Sequence, residues 1–226
     1  MKTPKKLLSL ALALAFSSAA WAQQPGPGEL KDPKATAILD QMSATLASFP
    51  TIVVQFTQTL ENLQTDEQTI EEGVMYIKGE HYKMFFMGNE LFFDGQTRAV
   101  FNIESSEVTY YDGQEKSQDA IEPTDLLSIY KEGYKYQFIQ TVQADGRTLD
   151  EIELYPEQID GKSYSKVAVW VDQQSHLPHV MKYFGKDGVN FYVKIDYWQH
   201  DMHIDDRLFR FNEQTHPNVE VIDLRF

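Results

Sequence analysis

Apolar residues recur at two different periods along this chain, and the changes of period divide it into elements. Asp32 supplies a cap and Pro33 a first-turn residue, and Ala37, Ile38, Met42 and Leu46 then follow at helical spacing as far as Pro50. That pattern predicts a helix between the two prolines. From Thr51 the period falls to two: Ile52, Val54, Phe56 and Leu60 line one face of a strand, with Gln55, Thr57 and Thr59 opposite. Further strands are expected at Gly73–Lys78, His81–Met87, Glu90–Asp94, Arg98–Asn102 and Glu107–Tyr111, with turn signals at Asp94-Gly95 and Asp112-Gly113. Pro123–Lys131 reads as a short helix bearing Leu126, Leu127, Ile129 and Tyr130. Strands resume at Tyr134–Val142, Arg147–Tyr155, Lys166–Val171, Leu177–Gly185 and Val189–Trp198, and a last short one is expected at Leu208–Asn212. About ten or eleven strands in meander order, with one helix in front and one inserted midway, predict a mainly β fold. Sequential hairpins of this number form a single antiparallel sheet that curls.

Between Val74 and Phe93 the alternation breaks down. Met84-Phe85-Phe86-Met87 and Leu91-Phe92-Phe93 are apolar on both faces, so both faces need a cover. Either helices fill one face as a packed core, or that face lines a pocket. Two helices are few for the concavity of so wide a sheet. An incompletely filled half-barrel keeps an apolar cavity, and Met side chains suit a wall that repacks around varied ligands. Composition leaves both readings open.

The N-terminus changes the picture of where the chain works. Lys2, Lys5 and Lys6 precede the short apolar run Leu7–Phe16, and Ala20-Trp21-Ala22 gives a small-x-small site before Gln23. Residues 1–22 are therefore expected to be a cleaved signal peptide, 23–32 a flexible leader carrying Pro25, Gly26, Pro27 and Gly28, and 33–226 one domain. The apolar run is too short to span a bilayer, and no later stretch approaches about 20 apolar residues. Cysteine is absent, so the fold of a secreted chain here relies on its packed core without disulfides. The formal charge is −14, or −17 without the three lysines of the signal segment. Such an acidic surface argues against nucleic acid and anionic headgroups as partners.

Catalytic chemistry has no recognisable setting. There is no G-x-S-x-G, and the Gly-Pro-Gly of the leader is not a phosphate loop. His176 and His179 are separated by Leu177-Pro178, which removes the helical geometry that spacing would need. His200, Asp201, His203 and Asp205 cluster within six residues as a metal candidate, with a polar surface turn as the plainer reading. Asp172, Glu151 and Glu153 alternate with apolar neighbours as a solvated strand face does. No enzyme activity, cofactor or metal is expected.

The order of elements and several local motifs resemble the LolA family of periplasmic lipoprotein carriers, over about Lys34 to Asp223. Phe56-Thr57-Gln58 resembles the family's F-x-Q segment, and Gly73-Val74-Met75-Tyr76-Ile77-Lys78 its G-x-L-x-V-K strand. Asp94-Gly95 and Asn102 sit where the family has its D-G turn and Y-N-P strand end, and Thr124–Tyr130 is similar to its lid segment. Leu208-Phe209-Arg210-Phe211 and the stretch from Pro217 through Val219 and Val221 to Asp223 resemble its F-x-F…P-x-G-V-x-V-x-D ending.

The resemblance implies an incomplete barrel closed by helices over an apolar cavity. It implies that a periplasmic monomer takes lipoprotein acyl chains from an inner-membrane release complex and hands them to an outer-membrane acceptor. The residues expected to line the cavity are Val54, Phe56, Met75, Ile77, Met84, Phe86, Leu91 and Phe93, with Leu126, Leu127 and Tyr130 on the lid. The family's Lys-Arg-Pro, whose Arg latches the lid, is replaced here by Lys78-Gly79-Glu80; its Trp by Ala99, beside Arg98; and its tail Gly by Asn218. Lys78 and Arg98 are alternative latches, with surface solvation as the plainer role of either. A paralogue moving another lipid or glycolipid, or a periplasmic sensor or scaffold for a protein partner, are the rival readings.

Overall fold

The computed structural model describes residues 31–113 and 133–225. Helix α1 spans Pro33–Ser48. Eleven strands follow: β1 (Ile52–Asn62), β2 (Glu67–Lys78), β3 (His81–Phe86), β4 (Asn89–Phe93), β5 (Thr97–Asn102), β6 (Glu107–Asp112), β7 (Tyr134–Ala144), β8 (Arg147–Pro156), β9 (Tyr164–Asp172), β10 (Pro178–Gly185) and β11 (Val189–His200). A twelfth, β12 (Glu220–Asp223), comes near the end. All twelve form one sheet in the order β12-β6-β5-β4-β3-β2-β1-β11-β10-β9-β8-β7. Two antiparallel meanders, β1–β6 and β7–β11, are thus joined where β1 pairs with β11, and the outer strands β12 and β7 do not meet. The sheet is an unclosed barrel, mostly antiparallel as expected, except that β12 lies parallel to β6. The expected lid helix Pro123–Lys131, with Leu126, Leu127 and Tyr130, lies outside the described residues.

α1 begins and ends where capping chemistry places it. The Asp32 carboxylate accepts from the Lys34 and Ala35 amides at 2.8 and 3.5 Å through one oxygen. Its other oxygen accepts from the Phe138 amide of β7 at 3.0 Å, and the Asp32 amide donates to the Tyr136 carbonyl at 3.2 Å. One residue therefore caps the helix and covers part of an open strand edge. The end of the expected leader is in place here, since Lys31 also bridges to Tyr136. The buried stripe of α1 is Ala35, Leu39, Met42 and Leu46. Ala37, expected on that stripe, is exposed, because it lies on the far side of the turn from Leu39.

The C-terminal segment differs from the expected strand at Leu208–Asn212. Asp206–Phe209 is a 3-10 turn capped by Asp205, and the chain then runs extended beneath the outer face of β4–β6. Phe209 is fully buried, and the Phe211 ring lies 4.9 Å from Phe101 and 5.8 Å from Phe92. The period-two pattern of Phe209 and Phe211 is real, but both rings dock on a sheet face instead of joining the ladder. This strap is pinned by Lys78 to Asp206 at 2.6 Å, by Arg210 to Asp94 at 2.8 Å and by the Tyr110 hydroxyl to Glu213 at 2.9 Å. It explains half of the doubly apolar strands, since Phe92, Ala99, Phe101 and Val108 are buried under it.

Two outcomes follow from these anchors. Asp32→Ala should cost about 1–3 kcal/mol, from a lost cap plus a lost bond to a charged acceptor, read as a lower urea midpoint. Burial pushes the Asp94 carboxyl up, but the amides of Thr97 and Gln96 and the Arg210 guanidinium outweigh it and hold it below its ordinary range. Its stabilisation is complete above about pH 4 and is lost as the pH falls through the lowered value. The gap in melting temperature between the native chain and Asp94→Ala should therefore narrow from pH 7 to pH 3.

Candidate functional site

The face of the sheet against α1 is built by register. Val54 pairs with Met75, Met75 with Met84 and Met84 with Leu91, so one apolar row crosses four strands. Ile52, Ile77, Tyr82 and Phe93 form the row on one side of it, and Phe56, Gly73 and Phe86 the row on the other. Cross-strand partners point to the same face and alternate residues to opposite faces. All eight residues expected to line a cavity therefore share this inner face. Ile195, Val193 and Phe191 of β11, Met181 and Tyr183 of β10, and Ile152 and Leu154 of β8 continue it in the other direction.

Burial divides the eight into two groups. Val54, Phe56, Met75 and Ile77 are 2–7% exposed and belong to a core cluster with Leu39, Met42 and Leu46 of α1. Met84, Phe86, Leu91 and Phe93 are half-buried beside that cluster. The length of α1 accounts for the division. Its 16 residues make a rod of about 24 Å, which matches about five strand spacings of 4.8 Å. Five spacings separate β7, where Asp32 anchors the helix, from β1. Leu46 meets Ile52, Val54, Met75 and Trp198 there around an apolar cavity of about 30 Å³, room for one or two waters. Beyond it the apolar wall of β3 and β4 extends past the end of the helix.

Phe56 holds the junction between the two halves. Its ring lies over Gly73, its cross-strand partner, and 5.6 Å from the Phe86 ring. A Cβ on Gly73 would land on Phe56 Cζ and within 2.8 Å of its two neighbouring ring carbons. Glycine at the start of the Gly73–Lys78 motif is thus a packing requirement.

The two proposed latch cations lie on opposite faces. Lys78 reaches the outer strap, where its ammonium also donates to the Ile204 carbonyl at 3.1 Å. Arg98 faces inward, its guanidinium 5.3 Å from the Phe93 ring centre, a cation on an aromatic face. The histidine and aspartate cluster is spent on structure: His200 stacks on Phe49 at 4.0 Å and binds Asp201 at 2.7 Å, and Asp205 caps the 3-10 turn. Among the described residues no three His, Asp or Glu side chains are placed to share a metal. Asp172, expected on a solvated face, is 4% exposed. It holds the β9–β10 turn by accepting from the Gln174 and Ser175 amides at 2.8 Å, and it pairs with Arg147 at 3.0 Å. Glu153 is likewise engaged, with Lys166 and Tyr155.

Several inner-face residues escaped the sequence reading, among them Tyr82, Phe138, Phe191 and Val193. The alternation in Val189–Trp198 was visible. Only the pairing of β1 with β11 shows that this strand shares the face of Val54 and Phe56.

An unclosed sheet with an apolar inner face half filled by one helix is the architecture of a binding or carrier fold. The family profile described as outer membrane lipoprotein carrier protein LolA matches residues 47–212, and the chain belongs to that family. No curated protein matches it. Among solved structures, an uncharacterized conserved protein from Thermus thermophilus superposes with a TM-score of 0.54 at 10% identity, over 84% of this chain and 99% of that one. A LolA superfamily protein from Nitrosomonas europaea gives 0.43 at 14% identity, over 78% and 97% of the two chains. The lipoprotein LppX from Mycobacterium tuberculosis gives 0.47 at 16%, over 77% and 100%. No helix among the described residues is long and apolar enough to cross a membrane.

Gly73→Ala should cost about 1–3 kcal/mol by overpacking, measured by thermal melting. Combining it with Phe56→Leu should recover part of that loss, because the clash is with the ring.

Proposed function

We propose that the inner face holds the acyl chains of lipoproteins while the protein carries them through the periplasm. The observation that supports this reading is the apolar wall of Met84, Phe86, Leu91 and Phe93, which extends beyond the reach of α1. Val54, Phe56, Met75 and Ile77 form its packed base. The resemblance to the family assigns Leu126, Leu127 and Tyr130 the part of a lid, and in this reading Arg98 is the inward cation that serves as its latch. Each methylene moved from water onto such a wall contributes about 0.8 kcal/mol, so whole chains must be covered to travel. A half-filled face of flexible Met and Phe side chains binds them without the tightness that would prevent release.

In this reading residues 1–22 are removed on export, 23–32 form a leader and 33–226 the carrier domain. A monomer then passes its load from an inner-membrane release complex to an outer-membrane acceptor, with no catalytic step.

Phe86→Glu and Leu127→Glu should each weaken loading of a triacylated lipoprotein tenfold or more, since a carboxylate facing the chains costs over about 1.4 kcal/mol. Far-UV circular dichroism should stay native. Unchanged loading in both variants overturns the reading. Mass spectrometry of the protein from its own periplasm separates the rivals: a stoichiometric lipoprotein supports this function, another lipid supports a paralogous carrier, and a lipid-free protein supports a scaffold.

A further inference from the structure

The two ends of the sheet differ in a way that neither the inner face nor the strap requires. Because the meanders are antiparallel and Asn62 of β1 pairs with Val189 of β11, the β1–β2, β3–β4, β5–β6, β8–β9 and β10–β11 turns all fall at one end. Four of these five turns carry an exposed aliphatic side chain: Leu63 at 61%, Met87 at 57%, Ile103 at 44% and Ile159 at 57% exposure. Among the described residues, the hairpin turns at the other end, Gly79-Glu80, Asp94–Gln96, Asp145-Gly146 and Gln173–Leu177, carry none, Leu177 being buried, although Met202 just after β11 is 43% exposed there.

Hydrogen bonds tie the turns into two groups, β8–β9, β10–β11 and β1–β2 in one and β3–β4 and β5–β6 in the other. The Leu63 amide donates to the Gly188 carbonyl at 2.9 Å, and the Ile103 amide to the Gly88 carbonyl at 3.1 Å. Lys186 donates from its ammonium to the Ile159 carbonyl at 2.7 Å. Each bond ties one turn to its neighbour, so each group is a preorganised stretch of the rim. Met87 is the most telling of them. It and Gly88 make the two-residue β3–β4 turn with φ of +50° and +71°, a geometry in which Asn-Gly or Asp-Gly is the favoured pair. A left-handed, solvent-facing methionine is poor turn chemistry, and its apolar reach is what the position gains.

We propose that this rim is the docking surface for a partner protein that presents a basic, apolar patch. The same five turns carry Asp66, Glu104, Glu157, Asp160 and Asp187 against Lys162 and Lys186, so aliphatic tips stand among excess carboxylates. That charge repels an anionic bilayer and a second copy of this rim. The turns contain no Trp or Tyr, the residues that seat proteins at a lipid interface. The rim is separate from the inner face, so the proposal holds whether or not acyl chains bind there.

The test places a photo-crosslinking residue at Leu63 or Ile103, and at Glu80 or Gln174 as controls, in the full-length protein in its own periplasm. The rim positions should give one discrete protein adduct whose crosslinked peptides are Lys- or Arg-rich beside apolar residues, and the control positions none. Adding Met87→Ser and Ile159→Ser should lower its yield at least fivefold, with melting temperature and lipid loading unchanged. No adduct, equal adducts at both ends, acidic partner peptides, or crosslinks between two copies overturn the proposal. So does rim-dependent flotation of the purified protein with phosphatidylcholine or phosphatidylcholine/phosphatidylglycerol vesicles, which would make the surface a lipid one. Loss of acyl loading in the native chain with the rim adduct intact would remove only the carrier function.

Discussion

The pairing of β1 with β11 is the constraint on which the rest depends. Each meander is a run of hairpins that needs only local turns, yet neither presents a complete inner face alone. Pairing Ile52 with His200 and Asn62 with Val189 closes the stretch between them into a loop, an entropic cost that grows only slowly with length. In return it aligns Val54 with Trp198 and Phe56 with Ile195 and gives α1 a continuous apolar surface to cross. A register slip of one residue there would turn every inner side chain of one meander outward. The shift recorded between Gln55 and Phe56 keeps the two halves in phase.

Two covers of unlike kind then settle the doubly apolar strands. On the inner face α1 is anchored at the β7 edge by Asp32 and runs out of length at the middle of the sheet, so β1 and β2 become core and β3 and β4 become a wall. On the outer face a strap with almost no regular structure does the same work with Phe209 and Phe211. The strap is pinned by ion pairs whose partners are partly open to solvent, which limits what each contributes, and its stability rests on buried rings. An open apolar wall inside and a sealed apolar layer outside follow from that difference.

Function and fold meet in the asymmetry of this arrangement. The outer face where β1 meets β11 carries satisfied networks such as Glu61 with Asn190 and Tyr192, which suits solvent. Apolar surface stays accessible on the inner wall and the turn rim, and at single positions elsewhere such as Ile70, Phe85 and Met202. A family of carriers for acylated proteins needs both a covered surface for its load and a place to meet its partners.

The sequence by itself determined the elements: a capped helix between two prolines, strands with polar turns, and the face shared by Val54, Met75, Met84 and Leu91. These are local, because the periods of helix and strand and the chemistry of caps and turns act over a few residues. The tail was misread for the same reason, since Phe209 and Phe211 obey period two whether they pair in a ladder or dock on a face. Asp172 and Ala37 were misplaced because a charge can be buried by its turn and an alanine can face either way. Only the tertiary structure decided which strand lies beside β1, how far α1 reaches and which turns share an end. Those facts depend on residues more than a hundred positions apart being brought into register, and no local pattern carries that information.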